Sequence, residues 1–250
     1  IDEVNEEYVT KWFAELNNRT GPGAANRTLE ILKHMLNKAE AWGYRLENTN
    51  PCRSIRPNRK RQCERFLTVE ELGRVGIELA KLRESDDLTS RCEGAAITLL
   101  LLTGCRRGEI LNLHWGDVKG NRLNLRDSKT GPRTVWLGSA ARGVIAGIPR
   151  HRKLPWLFWN YRYRRQMRDV AWAWKGIRER AGLGHVRIHD LRHTFASHAA
   201  MNKETLPMIG RLLGHANHQS TARYAHLDDD HLLDAAQQIG DAVDNLLGFN

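Results

Sequence analysis

The sequence implies a mainly α-helical protein with a small antiparallel β-sheet, arranged as a short helical amino-terminal domain and a larger α+β domain. Three observations point there. Apolar residues recur at helical spacing along most of the 250 residues. Only two short stretches, Arg122 to Arg126 and Arg133 to Leu137, read as strands, and they flank a Ser-Lys-Thr-Gly turn. Between the two halves, residues 53–65 carry six basic residues against one glutamate, with no apolar period.

Each element is justified in order. Glu6 to Leu16 places Val9, Trp12, Phe13 and Leu16 on one helical face. Thr20-Gly21-Pro22-Gly23 ends that helix, and Ala24 to Trp42 forms a second, with Leu29, Leu32, Met35, Leu36 and Ala39 on one side. Asn50-Pro51 closes the first domain, read as residues 1–52, because a residue before proline resists the helical conformation. Residues 53–65 are expected to be an exposed basic linker, either plain solvated surface or a contact for a polyanion. The second domain, 66–250, opens at Thr68-Val69-Glu70-Glu71, which has capping-box form and leads a helix through Leu82. Ala95 to Thr103 reads as a buried helix stopped by Gly104. A basic helix is expected from Tyr163 to Ala181, and further helices over His189 to Met201, Leu206 to Leu213 and His231 to Leu247. The last carries Leu232, Ala236, Ile239, Val243 and Leu246 on one stripe.

Composition narrows the function classes. A net charge of +10 favours a polyanionic partner, nucleic acid or anionic membrane. No apolar run approaches the ~18 to 20 residues that cross a bilayer. The acidic start, Ile1-Asp2-Glu3, lacks the pattern of a secretory signal, and without an initiator Met the chain reads as a fragment. Cys52, Cys63, Cys92 and Cys105 form no CxxC pair, which fits a reducing cytoplasm.

Four separated segments then carry chemistry: Thr103-Gly104-Cys105-Arg106-Arg107-Gly108-Glu109, Ser128-Lys129-Thr130-Gly131, His189-Asp190-Leu191-Arg192-His193, and Leu213-Gly214-His215 with Tyr224 nine residues on. Arg106 and Arg192 suit phosphate oxygens, because a guanidinium stays charged and forks two donors. Lys129 at a turn is either solvated surface or a general acid for a departing 5′ oxygen. His189 and His193 share a helix face; with His198, His215 or His218 that spacing also admits zinc, although the carboxylate base of an HExxH site is missing. Tyr224 is either a core or surface aromatic or an oxygen nucleophile, its ionisation eased by nearby cations.

Taken together and in this order, these segments resemble the tyrosine recombinase (phage integrase) family, whose motifs are TGxRxxE, a lysine in a hairpin, HxLRHTxA, and LGH followed by tyrosine. The likeness spans about Phe66 to His226. It implies a site-specific recombinase of phage or genomic-island type, with a helical core-binding domain ahead of the catalytic domain. It further implies Arg106 and Arg192 as a phosphate clamp, Lys129 and His189 as proton-transfer partners, His215 as a phosphate donor and Tyr224 as nucleophile. Glu109 would brace Arg106, and His193 would support. No metal or cofactor is implied. The partners implied are double-stranded DNA sites, a homotetramer on them and accessory DNA-bending proteins, in a cytoplasmic, nucleoid-associated setting without membrane. Arg27, Arg53, Arg56, Arg59, Lys60, Arg61, Arg164, Arg165 and Arg168 are the candidate DNA contacts, their affinity expected to fall with salt.

The chain departs from the pattern at Arg107-Gly108, where an apolar residue and then serine are common, and its amino-terminal domain is expected to be short by one helix, without an arm-binding domain ahead of it. Two rival readings share the chemistry or the fold: a type IB topoisomerase that relaxes DNA as a monomer, and a DNA-binding regulator without catalysis.

Overall fold

The computed structural model describes residues 1, 3–59, 65–126, 131–217 and 219–225, with single positions at 237, 239 and 243. The chain divides into two compact units, residues 1–63 and 64–250.

In the first unit, α1 (Glu6–Thr20) is capped by the Asn5 side chain, which accepts from the Tyr8 amide at 2.9 Å. Gly21, at φ 83°, turns the chain, and Pro22 opens α2 (Pro22–Ala41). Val9, Phe13 and Leu16 of α1 pack on Ala25, Leu29 and Leu36 of α2 and on Cys52. Met35, expected on this face, is 60% exposed. The buried seam of α2 steps through 25, 29, 32, 36 and 39, alternating strides of four and three, and position 35 lies about 100° off it.

The linker expected from Arg53 is largely exposed as read, but through Asn58 it is tied to the first unit instead of running free of it. Pro51–Arg53 is a turn of 3-10 helix packed on α1 and α2. Buried polar groups of α2 hold this turn and the stretch after it. The Asn50 amide donates to Glu40 Oε1 at 2.6 Å, and Arg53 ion-pairs with Glu40 at 2.5 Å. Asn26 and Asn58 exchange two bonds of 2.8 Å each. A reading of apolar residues alone misses such a polar seam, since buried amides are placed by the bonds they satisfy. Lys60 and Arg61 lie outside the described residues.

The second unit opens with α3 (Val69–Arg83). Its capping box is complete: Thr68 Oγ1 accepts from the Glu71 amide, and Glu71 Oε2 accepts from the Thr68 amide. Next comes α4 (Leu88–Thr103), starting at the Asp87 cap, seven residues before the expected Ala95. Its polar first half disguises it, but Cys92 and Gly94 are buried there, and a Cβ on Gly94 would stand 2.9 Å from Leu82 Cβ of α3. Central α4 packs against α3 and against the later helices α6 (Ser139–Ala146), α7 (Ala171–Arg180) and α8 (Asp190–Met201). Between α4 and α6 lie the short α5 (Arg107–Leu111) and a three-stranded antiparallel sheet. Its strands are β1 (Val118–Lys119), β2 (Arg122–Leu125) and β3 (Arg133–Trp136), with Leu123 opposite Val135 and Leu125 opposite Arg133.

The helix expected from Tyr163 begins only at Ala171. Before it, β4 (Trp159–Asn160) and β5 (Arg165–Gln166) form a hairpin, and Arg164 at φ 48° sits in its turn. Asp169 Oδ1 accepts from the Val170 and Ala171 amides and so starts α7. Arg164, Arg165 and Arg168 are therefore exposed on a hairpin and loop rather than a helix. On α7 Trp174 and Ile177 are buried, while Trp172 is 82% exposed.

After α8 come α9 (Leu206–Leu213), ended by Gly214 at φ 67°, and α10 (Gln219–Ala222). Ala196, Ala200, Ile209, Leu213 and Tyr224 form a small apolar cluster. The helix expected over 231–247 lies outside the described residues except at 237, 239 and 243, where Ile239 and Val243 are exposed. No helix among the described residues is long and apolar enough to cross a membrane. The architecture is mainly helical with small antiparallel sheets, as the sequence implied.

Candidate active site

The carboxyl ends of two helices, α4 and α9, converge on one guanidinium of α8. α4 stops at Gly104, whose φ of 61° is left-handed. A Cβ there would lie 2.5 Å from Phe195 Cδ1 and 2.8 Å from Leu213 Cδ2, so glycine is required for conformation and for contact. This close approach lets Arg192 of α8 donate from Nη1 to the Gly104 carbonyl at 2.8 Å and from Nη2 to the Leu213 carbonyl at 2.9 Å. Arg192 is buried, and among the described residues no carboxylate pairs with it. Burial, and then the charge of Arg106, pull its pKa down to about 10, so it remains a cation at neutral pH.

Arg106 caps α5. Its amide donates to Glu109 Oε2 at 2.9 Å and its Nη1 to Glu109 Oε1 at 2.8 Å, the bracing role expected of Glu109. Glu109 is itself buried. Desolvation alone would raise its carboxyl, but the bonds from Arg133 and the Arg106 backbone outweigh it and hold the group below the ordinary range. Half-buried Arg106 and Arg133 share the one carboxylate of Glu109 while buried Arg192 has none among the described residues, an excess of positive charge that suits an anion.

One of the histidines, His193, meets Tyr224 directly. His189 stands at the start of α8, where the Arg187–Asp190 ion pair at 2.7 Å fixes the turn. Its ring meets His193 edge-on at 5.1 Å between centroids. His193 Nδ1 lies 2.7 Å from Tyr224 Oη, so the histidine expected in a supporting role is the one that touches the hydroxyl. His215 Nδ1 lies 2.8 Å from Thr221 Oγ1. Burial lowers His189, with Arg192 next in weight. Burial also takes His193 and His215 each down to about 4, assisted by His189 and Arg223 for the first and by Arg192 and Arg106 for the second. Both rings are neutral at pH 7. Burial raises the Tyr224 hydroxyl, opposed by Arg223 and Arg192.

Arg106, Glu109, His189, Arg192, His193, His215 and Tyr224 thus belong to one connected cluster. Lys129 and His218 lie outside the described residues. His198 Nε2 sits 2.9 Å from the Leu67 carbonyl. Among the described residues no three His, Cys, Asp or Glu side chains stand together as metal ligands. Arg27, Arg56 and Arg59 are exposed in the first unit. Three members escape sequence reasoning: Arg133, which shares Glu109 at 2.8 Å, Thr221, and Arg223. Of these Arg133 carries a signal, because strand alternation sets it on the same face as Val135 and Leu137, both buried.

Known proteins place this cluster in a lineage. The profile described as "Phage integrase family" matches residues 65–231. The chain belongs to the phage integrase family. Among its relatives, the integrase of Escherichia phage 186 is 27% identical over 221 residues, covering 86% of this chain and 60% of that protein. The tyrosine recombinase XerC of Chromohalobacter salexigens is 31% identical over 193 residues, covering 73% of this chain and 62% of that protein. This phage integrase family member therefore spans about three fifths of the length of these curated relatives. A lambda integrase tetramer bound to a Holliday junction shares the fold at a TM-score of 0.69 and 18% identity, over 87% of this chain and 66% of that one.

Proposed function

We propose that this chain is the core of a site-specific DNA recombinase that cleaves and rejoins strands through a 3′-phosphotyrosyl intermediate. The observation that carries the reading is the Tyr224 hydroxyl held 2.7 Å from neutral His193, beside the carbonyl-held Arg192. Arg106 and Arg192 take the non-bridging oxygens of the scissile phosphate and stabilise the charge that grows in the transition state. Tyr224 Oη bonds to phosphorus as its proton passes to His193 Nδ1, with the His189 ring next in line. The bond from phosphorus to the 5′ oxygen breaks, and Lys129 supplies that oxygen's proton. In the tautomer whose Nδ1 accepts from the Thr221 hydroxyl, 2.8 Å away, the His215 ring proton sits on Nε2 and can be donated to the phosphate.

The phosphotyrosyl ester retains the energy of the broken bond, so rejoining needs no nucleotide or metal. The contact of Tyr224 with His193 of its own chain supports attack within one protomer. The lambda integrase tetramer on a Holliday junction supports four protomers acting on two DNA sites. The exposed Ile239 and Val243 support a tail that docks on a neighbouring protomer, so removing residues after Leu227 should weaken synapsis. DNA-bending proteins would assist assembly at long sites, in the cytoplasm at the nucleoid. The basic side chains of 1–63, with Arg164, Arg165 and Arg168, would meet backbone phosphates.

A supercoiled plasmid carrying two copies of a duplex site selected from a random library tests the proposal. Deletion or inversion between the sites is expected. Relaxation of a site-free plasmid at the same rate would favour the topoisomerase reading, and binding without strand exchange would favour a regulator.

A further inference from the structure

We infer that Arg133 is a positioning residue that fixes Arg106 and His215 relative to each other by bridging their two segments. The inference rests on the phosphate-contact roles proposed for those two residues. Arg133 is the first residue of β3, and its side chain is only 11% exposed. Its donors are turned to protein. Nη2 donates to Glu109 Oε2 at 2.8 Å and to Cys105 Sγ at 3.6 Å, and Nη1 donates to the Leu212 carbonyl at 3.2 Å. Its Nε is buried, with no partner among the described residues. Gly214 closes that side, for a Cβ there would meet Arg133 Cδ at 2.6 Å, Nε at 2.7 Å and Cζ at 2.9 Å.

Every one of these neighbours adjoins a proposed phosphate contact. Cys105 and Glu109 flank Arg106, and Leu212 and Gly214 precede His215. One rigid fork therefore ties segments about a hundred residues apart, which a lysine, with a single nitrogen, cannot do at both ends. The same geometry explains the glycine before His215: it allows the left-handed stop of α9 at φ 67° and leaves room for the Arg133 stem. Arg133 also holds Glu109 ionised, so that Glu109 keeps Arg106 in place. The charged and titratable groups around Glu109 are Arg106, Arg133, Arg192 and Cys105.

The test uses the full chain and a nicked duplex of the selected site, which traps the covalent complex. Arg133→Lys and Arg133→Gln are compared with the wild-type protein for DNA affinity, trapping rate at saturating DNA, and the pH profile of that rate. Both variants are expected to bind DNA within about twofold of wild type and to trap on the order of 10- to 100-fold more slowly, the cost of a misplaced catalytic group. In Arg133→Gln the acid limb should move to higher pH, because Glu109 then takes a proton sooner, whereas Arg133→Lys should restore part of that limb. Wild-type rates and profiles in both variants would overturn the inference. So would a large loss of affinity with an unchanged saturated rate, which would make Arg133 a phosphate contact. Loss of folding in both would make it a core residue and overturn it equally. A wild-type protein that traps nothing would instead refute the recombinase reading itself.

Discussion

Acidification should destabilise the second unit through His193 and His215. Both have folded-state pKa values of about 4 against the ordinary 6.5. The unfolded chain therefore binds more protons between those values, so the stability these rings contribute is complete above about pH 6.5 and falls away as the pH drops toward 4. Moving from pH 7 to pH 5 costs at most about 2 kcal/mol per ring, or about 4 kcal/mol for the two. Lowered His189 acts in the same direction. Carboxylates held low, such as Glu109 and Asp87, weaken the fold only at lower pH, so the fall from pH 7 to 5 belongs to the histidines, offset in part by Glu93, whose carboxyl burial raises. The perturbation is His193→Gln, which keeps an acceptor for Tyr224 but removes one titration. Urea denaturation monitored by near-ultraviolet circular dichroism at pH 7, 6 and 5 should show a shallower slope than wild type, the remainder coming from His215 and His189. A wild-type stability flat from pH 7 to 5, or an undiminished slope in His193→Gln, would refute the reasoning.

Two substitutions should separate stability from chemistry. Gly104→Ala forces a left-handed alanine, costing about 1 kcal/mol, and crowds Phe195 and Leu213, costing about 1 to 3 more; it should slow covalent trapping as well, since the Gly104 carbonyl holds Arg192. Thr68→Ala removes the cap of α3 and should lower the urea-derived stability of the second unit by about 1 kcal/mol while leaving trapping per folded molecule unchanged.

How far the sequence discloses the fold depends on the range of the forces involved. The capping box at Thr68, the stop at Gly104 and the β2–β3 pair are local devices, and each is present. The first half of α4 eludes a sequence reading because burial of Cys92 and Gly94 is decided by packing against other elements, and the start of α7 because the β4–β5 hairpin before it has strands of only two residues, too short to show an alternating pattern. Residues 53–58 show no apolar period in sequence because Asn26 and Glu40 bind them through polar contacts, with Ile55 the one apolar side chain of the stretch that packs on the core. At the site, residue types and spacing point to Arg106, Glu109, Arg192, His193, His215 and Tyr224. Which histidine meets Tyr224 is set by packing of the segment after α9 on α8, 31 residues away in sequence, and no motif encodes it.

The central claim is covalent attack by Tyr224. Wild-type protein and Tyr224→Phe should be incubated with nicked duplexes of the selected site, denatured in detergent, digested with protease and analysed by mass spectrometry. The account predicts a detergent-resistant adduct in the wild type alone, with a 3′-phosphate on the peptide containing Tyr224 and a free 5′ hydroxyl on the released strand. An adduct on another residue, an adduct that survives Tyr224→Phe, or no adduct on DNA that the protein binds would contradict it.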